Sequence, residues 1–387
     1  MYLSQGETSM TRHAEIAGAG LAGLVAALAL LQRGWTIALH ERAPALRTAG
    51  FSINIQENGL RVFEALGVND EILARATPLG SRRVQDAGGR TAASMTPTHR
   101  VVRLPRDHLV EVLAARIRHL GGRLSTGSAA SEAKPDGTLL LTDGEARPAD
   151  LVVAADGVNS VLREKSGLRF RRYTLNEGAT RLRVARAVPA FEGDDGRTGF
   201  ELWSGRRRFM YRPDDSSHAY VTLSCPQSDR DGRAVPIDAR AWSASFPRQS
   251  GLLERISRET DWPSVRWARF EIVRLSRWST GRLAFVGDAA HAMPPNLGQG
   301  GGLAMVNALG LAAALEREPD IERGLADWER RERPLTSHTQ FWSWLYSQPA
   351  RLPGPLRDAS LRLAGRSAWI AARLQRAATH SPTGWSR

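Results

Sequence analysis

The sequence has one cysteine, two lysines and no long apolar run. Cys225 stands alone, so an internal disulfide is excluded and a cytoplasmic location is expected. The longest apolar run, Leu21 to Leu31, falls well short of the roughly 20 residues that span a bilayer, so no transmembrane segment is expected. Met1 to Arg12 is polar and lacks a signal peptide's apolar core. Because Lys134 and Lys165 are the only lysines, 51 of the 53 basic residues are arginine, spread along the chain. The densest run, Arg206-Arg207-Arg208, has one neighbouring aromatic on each side, Trp203 and Phe209. The net charge of +13 is therefore not read as a nucleic-acid surface. Its field still favours anionic substrates and nucleotides. No metal site, internal repeat or low-complexity tract is expected.

What is present is an ordered set of glycine and aspartate loops. Gly18-Ala19-Gly20-Leu21-Ala22-Gly23 comes early, Asp156-Gly157 mid-chain and Gly287-Asp288-Ala289-Ala290-His291 late. Each follows an apolar, strand-like run: His13–Ala17, Leu151–Ala155 and Leu283–Val286. A helix over Leu21–Gln32 stops at Arg33-Gly34, and a strand from Trp35 leads to Glu41. That is the βαβ context a dinucleotide fingerprint requires. Its first glycine permits the tight turn, its second admits phosphate, and its third lets helix and strand pack closely. Glu41 can accept both hydroxyls of an adenosine ribose. Asp288, at a strand's carboxyl end, suits a ribityl chain. The loop Pro294 to Gly302 opens a helix whose free amides could stabilise charge on a reduced isoalloxazine. One nucleotide held by segments from across the chain favours a resident flavin over a passing nicotinamide. His291 reads as a structural hydrogen-bonding histidine rather than a base.

Between Ala179 and Phe270 the texture changes to alternating segments separated by turns, an antiparallel sheet. The expected fold is α/β: a Rossmann-like FAD-binding domain in two parts (13–178 and 271–330), an inserted antiparallel β-sheet substrate domain (179–270) and a C-terminal helical segment (331–387). Trp203, Phe209, Tyr211, Arg212 and Tyr220 are candidate substrate contacts, Arg212 as the partner of a phenolate or carboxylate. Phe341, Trp342, Trp344, Leu345 and Tyr346 form an aromatic cluster expected to pack on the nucleotide domain. Ser367–Thr379 is short, basic and amphipathic.

Taken together, Gly18–Gly23, Asp156-Gly157-Val158-Asn159-Ser160 with Arg163, and Gly287-Asp288 through Gly302 resemble the three signatures of the class A, para-hydroxybenzoate hydroxylase-like flavoprotein monooxygenases. The resemblance spans about residues 13–315. It implies that Gly18, Gly20, Leu21, Ala22, Gly23, Glu41, Arg42, Arg106 and Asp288 bind FAD. It implies that Asp156 serves the pyrophosphate region and the transient NAD(P)H. Pro295 would lie near the flavin's reactive edge, with Gly298, Gly301, Gly302 and Leu303 supplying amides to its pyrimidine end. Many members have Glu-Asp-Ala where this chain has Val306-Asn307-Ala308.

The implied reaction uses NADH or NADPH and O₂ to hydroxylate an aromatic or other electron-rich small molecule through a flavin C4a-hydroperoxide. The cofactor carries that chemistry, so no catalytic side chain is named. An epoxidase of the same fold, or a flavin-binding protein without turnover, are the alternatives. A halogenase is disfavoured, since neither lysine falls early and Trp342-Ser343-Trp344 only partly mimics that group's tryptophan motif. The working form is expected to be a monomer or homodimer.

Overall fold

The structure is a computed structural model that describes residues 11–46, 52–186 and 197–386. Residues 1–10, on which the leader reading largely rests, and 187–196, inside the substrate domain expected over 179–270, lie outside the described residues.

Five parallel strands form the nucleotide sheet. In spatial order they are Leu283–Phe285, Leu151–Ala154, His13–Ala17, Thr36–Glu41 and Arg123–Thr126, with a short antiparallel edge, Ser279–Thr280, beside the first. Numbered along the chain this is 5-4-1-2-3, the doubly wound order whose direction reverses beside the first strand. Leu151–Ala154 is buried throughout, as a central parallel strand must be. Helices Leu21–Leu31 and Gly300–Arg317 pack on each other, the first also on this sheet, and most of their residues are buried. Their alanines and glycines allow that close approach.

The second sheet has seven strands: Trp267–Leu275, Phe170–Ala185, His218–Pro226, Arg207–Pro213, Gly199–Ser204, Arg82–Asp86 and Thr91–Met95. It differs from the sequence reading in two ways. The boundary expected at residue 179 falls inside one long strand, Phe170–Ala185. The last two strands precede the fourth nucleotide strand in the chain, and Arg82–Asp86 joins Gly199–Ser204 in parallel, so the sheet is mixed. One face of this sheet is covered by helices Ala239–Ser245 and Ser250–Glu259, with Phe209, Tyr211, Trp242 and Phe246 in the core between them. The other face looks toward the nucleotide domain.

Helix Ile321–Leu345 ties the two sheets together. Gln340 Nε2 donates to the carbonyls of Val273 and Ala292 (2.8 and 2.9 Å), and Ser343 Oγ to that of Pro294 (2.6 Å). Helices Gly354–Arg366 and Ala368–Gln375 complete the chain.

Candidate active site and cofactor trough

Strands 13–17, 151–154 and 283–285 are neighbours, so the three glycine and aspartate loops meet at adjacent carboxyl ends, beside the switch point where open α/β sheets bind ligands. Each glycine of the first loop has a distinct job. Gly18 has φ +102, and a Cβ there would come within 2.5 Å of the Ala155 carbonyl oxygen. Only glycine adopts that turn without strain. A Cβ on Gly23 would lie 2.0 Å from the Gly18 carbonyl oxygen, so this residue sets how closely helix and strand pack. A Cβ on Gly20 would meet nothing within 4 Å. Gly20 instead borders open space, where a phosphate can approach the helix amides.

That space is a trough with two lobes, of about 540 and 220 Å³. Both lobes are bordered by Gly20, Leu21, Arg106, Ala155 and Gly157, so they are continuous. The smaller lobe is lined by Gly18, Glu41, Arg42 and Asp156. Glu41 is held at the end of its strand: Oε2 accepts from the Ala19 amide (2.9 Å) and Oε1 from the Ala43 amide (3.0 Å). Asp156 Oδ1 is buried with no hydrogen-bond partner among the described residues, while Oδ2 accepts from the Leu162 amide at 3.3 Å. Burial raises the Asp156 pKa, and bonds from Ser160 and the Leu162 amide offset part of the rise.

The larger lobe is lined by Ala22, Gly287, Asp288, Pro295, Gly298, Gly300 and Gly301. Asp288 is enclosed by protein, yet its side chain is open to the lobe itself. Desolvation raises its pKa, and the positive charge of Arg106 partly opposes this. The amides of Gly300 and Gly301 belong to the first turn of helix Gly300–Arg317 and have no intrahelical partner. Arg163, fully buried, donates to the carbonyls of Val158 (2.8 Å) and Ala289 (3.0 Å), joining the second loop to the third.

These features fit a flavin dinucleotide. There is a ribose-accepting carboxylate at one end, an open glycine and helix amides for the phosphates, an unpaired buried carboxylate oxygen, and amides with a second carboxylate at the far end. Gly302 and Leu303 do not line the trough. Gly302 faces Asn58, which a Cβ would meet at 3.2 Å, and Leu303 packs with Leu335 and Ala377.

The comparisons with known proteins agree with this geometry. The FAD binding domain family matches residues 11–327. The chain belongs to the FAD-binding monooxygenases of class A. It is 39% identical over 359 residues to the 2-heptyl-3-hydroxy-4(1H)-quinolone synthase of Mycobacteroides abscessus, covering 92% of this chain and 95% of that protein. It is 29% identical over 358 residues to the 3-amino-4-hydroxybenzoate 2-monooxygenase of Streptomyces cremeus, covering 88% of each. Among solved structures, the tetrameric form of 2-methyl-3-hydroxypyridine-5-carboxylic acid oxygenase superposes with a TM-score of 0.85 at 34% identity, covering 97% of this chain and 98% of that one.

In this class A monooxygenase the larger lobe extends past the flavin-type loop to the second sheet. Alternation along the strands puts Arg208 and Met210, and Tyr220, Thr222 and Ser224, on the trough side. Of the expected substrate contacts, Tyr220 is here. Trp203 and Tyr211 are not: both are 0% exposed. Tyr211 and Phe209 point into the core on the opposite face. Trp203 packs with Val84, Leu361 and Tyr346. Arg212 does not line the lobe, and its desolvation, with the like charges of Arg82 and Arg103, pushes its pKa down to about 9.

The side chains that do line it were missed from sequence: Arg82, Arg103, Arg181, Glu201 and Arg208. Arg103 donates to Asp214 (2.5 Å) and Asn54 (2.6 Å), with its guanidinium 4.2 Å from the Tyr220 ring centre. Arg208 donates to Asn296 (3.0 Å), whose own amide donates to the Ser343 carbonyl (2.7 Å). The sheet, the Pro294–Gly302 loop and the C-terminal helix are thereby fastened together. Glu201 accepts from the Tyr346 hydroxyl (3.0 Å) and pairs with Arg82 (3.3 Å). Arg181 differs from the rest. Its guanidinium lies 5.8 Å from the centre of the Phe270 ring.

His291 lies behind the loop, 3% exposed, with Nε2 accepting from Asn307 Nδ2 at 2.8 Å and its ring against Trp278. Burial pushes its pKa down to about 4. It is a structural residue, and the Asn307 that departs from the family pattern is the donor that fixes it.

Proposed function

We propose that this FAD-dependent monooxygenase, which hydroxylates aromatic substrates, acts on a nitrogen heteroaromatic carrying an acidic or anionic group, with NADH or NADPH and O₂ as its co-substrates. The observation that carries this is the wall facing Pro295: Arg82, Arg103, Arg181 and Arg208 line it, and Glu201 is the carboxylate on the sheet side of the lobe. Arg103 is paired with Asp214, Arg82 with Glu201 and Arg208 with Glu177, which leaves Arg181 as the guanidinium of this wall without a carboxylate among the described residues, and such a group favours an anionic ligand. The named relatives add a ring class, since one is a synthase of a hydroxyquinolone and another an oxygenase of a hydroxypyridine carboxylic acid.

Bound FAD supplies two-electron reduction by the nicotinamide and activation of O₂ for transfer of one oxygen atom. The chain's own residues would do the rest. Glu41, Gly20 and Asp288 would hold and orient the dinucleotide. Gly300 and Gly301 would present amides to the electron-rich end of its ring. Arg181 and Tyr220 would place the substrate, and the Arg208–Asn296 bridge would keep the loop closed against water. We further propose that the working form is a monomer or homodimer. Its proposed place is the cytoplasm, consistent with a single buried, unpaired cysteine.

A panel of hydroxyquinolones, hydroxypyridine carboxylates and aminohydroxybenzoates, each scored for NAD(P)H loss coupled to a product one oxygen atom heavier, tests the reading. Coupled turnover confined to neutral substrates would overturn the anionic assignment.

A further inference from the structure

The end of the chain differs from the rest in charge. Residues 333–387 hold eight arginines and a single acid, Asp358. That acid is paired with its neighbour, Arg357 Nε lying 3.0 Å from Asp358 Oδ1. More than half of the net +13 therefore belongs to this segment.

Its apolar residues are arranged to match. Helix Gly354–Arg366 buries Leu361 in a cluster with Val84 and Ala93. Helical spacing places Leu356, Ala359, Leu363 and Arg366 on the opposite face. Leu356 is 60% exposed and Leu363 69%. Trp369, on the next helix, is also 60% exposed, its ring edge-on to Trp342 at 5.7 Å and 5.0 Å from the Arg373 guanidinium. Leu352 and Phe341 are exposed as well, and so are Arg351 just before the first of these helices, Arg362 and Arg366 within it, and Arg376 just after the second.

An exposed leucine stripe and a tryptophan, in a segment that holds eight arginines and one paired acid, match an anionic lipid surface. A nucleic acid would use the arginines but leave the leucines in water. A second copy meeting this face through a two-fold axis would set arginine against arginine. We propose that the outward face of helices 354–366 and 368–375 docks reversibly on an anionic phospholipid bilayer. Leu356, Leu363 and Trp369 would enter the headgroup layer, with the arginines against the phosphates. No helix among the described residues is long and apolar enough to cross a membrane, so this is surface contact. The proposal stands apart from the identity of the substrate.

The test is co-sedimentation of the FAD-loaded protein with phosphatidylcholine vesicles, with and without an equal part of phosphatidylglycerol. Binding is expected only to the phosphatidylglycerol vesicles, with loss at high salt. Leu356→Glu with Leu363→Glu should weaken it by about tenfold or more while FAD content and melting temperature hold, since both side chains point to solvent. Arg362→Gln with Arg366→Gln should weaken it too, and provides a second arm if the leucine variant loses stability. Equal binding to neutral vesicles, no binding, or binding unchanged in both variants overturns the proposal. So does an oligomer that the leucine variant dissociates in protein that ignores vesicles, or binding to a mixed-sequence RNA without vesicle binding.

Discussion

Gly20 and Gly23 lie three residues apart in one loop, and the structure separates what each contributes. In Gly23→Ala the new methyl would sit 2.0 Å from a backbone carbonyl oxygen and 3.2 Å from the Ala155 Cβ. Neither group is the free end of a flexible side chain, so strand and helix must move apart. Overpacking of this kind costs about 1–3 kcal/mol. The gain of alanine over glycine inside a helix, about 1 kcal/mol, offsets only part of it. In Gly20→Ala the methyl meets no protein atom within 4 Å. Its stability change comes from the balance between a poorer helix cap and a less flexible unfolded chain, each under about 1 kcal/mol. The methyl does occupy the space through which phosphate reaches the helix amides. The assay is a pair of measurements on each variant stripped of flavin: chemical unfolding, then FAD titration by fluorescence quenching. Gly23→Ala should lose both stability and FAD affinity. Gly20→Ala should unfold like the parent and bind FAD at least about tenfold more weakly, roughly 1.4 kcal/mol. A Gly20→Ala protein with unchanged FAD affinity would refute the trough as the phosphate path. A Gly23→Ala protein as stable as the parent would refute the packing role.

Other outcomes follow from the same geometry. Glu41→Gln keeps the shape but gives up one of two charged acceptor oxygens, and FAD should bind about tenfold or more weakly, near 1.5–3 kcal/mol, by titration of apoprotein. Arg181→Gln should raise KM about tenfold for an anionic substrate with kcat nearly unchanged, while Tyr211→Phe should leave KM alone. His291 has a folded pKa of about 4 against an ordinary value of 6.5. Its contribution to stability is therefore whole above pH 6.5 and lost as pH falls toward 4, on the order of 3 kcal/mol. Unfolding curves across that window should be flatter for His291→Gln than for the parent.

The nucleotide half was legible because its constraints are local. Gly18, Gly20 and Gly23 are fixed by one turn, and the apolar runs before the three loops can only be central strands of a covered sheet. The substrate wall was less legible, for a reason that lies in strand geometry. Alternation tells which residues share a face but not which face looks at the cavity. Tyr211 and Arg212 are adjacent in one strand and cannot both point the same way, so reading both as substrate contacts already contained a contradiction. The structure resolves the phase: the aromatic set, Phe209 and Tyr211, faces the covering helices, and the polar set, Arg208, Tyr220 and Thr222, faces the cavity. Composition held the hint, since aromatics gain by leaving water and arginines do not. Trp203 failed differently. It shares a face with the cavity residue Glu201, but it stands two residues further along the strand, where Tyr346 and Leu361 cover it.

That contrast also explains the isolation of Arg181. A buried guanidinium without a carboxylate is costly, and the neighbouring arginines each have one: Arg103 has Asp214, Arg82 has Glu201 and Arg208 has Glu177. Those pairs hold the wall rigid before any ligand enters. Arg181 lies against a ring face and stays half in water, which keeps its cost low and its donors available. A wall of paired arginines around one with donors to spare positions an anion at one point, rather than attracting anions everywhere. For an enzyme that must set one ring carbon against a flavin, that restriction has a use.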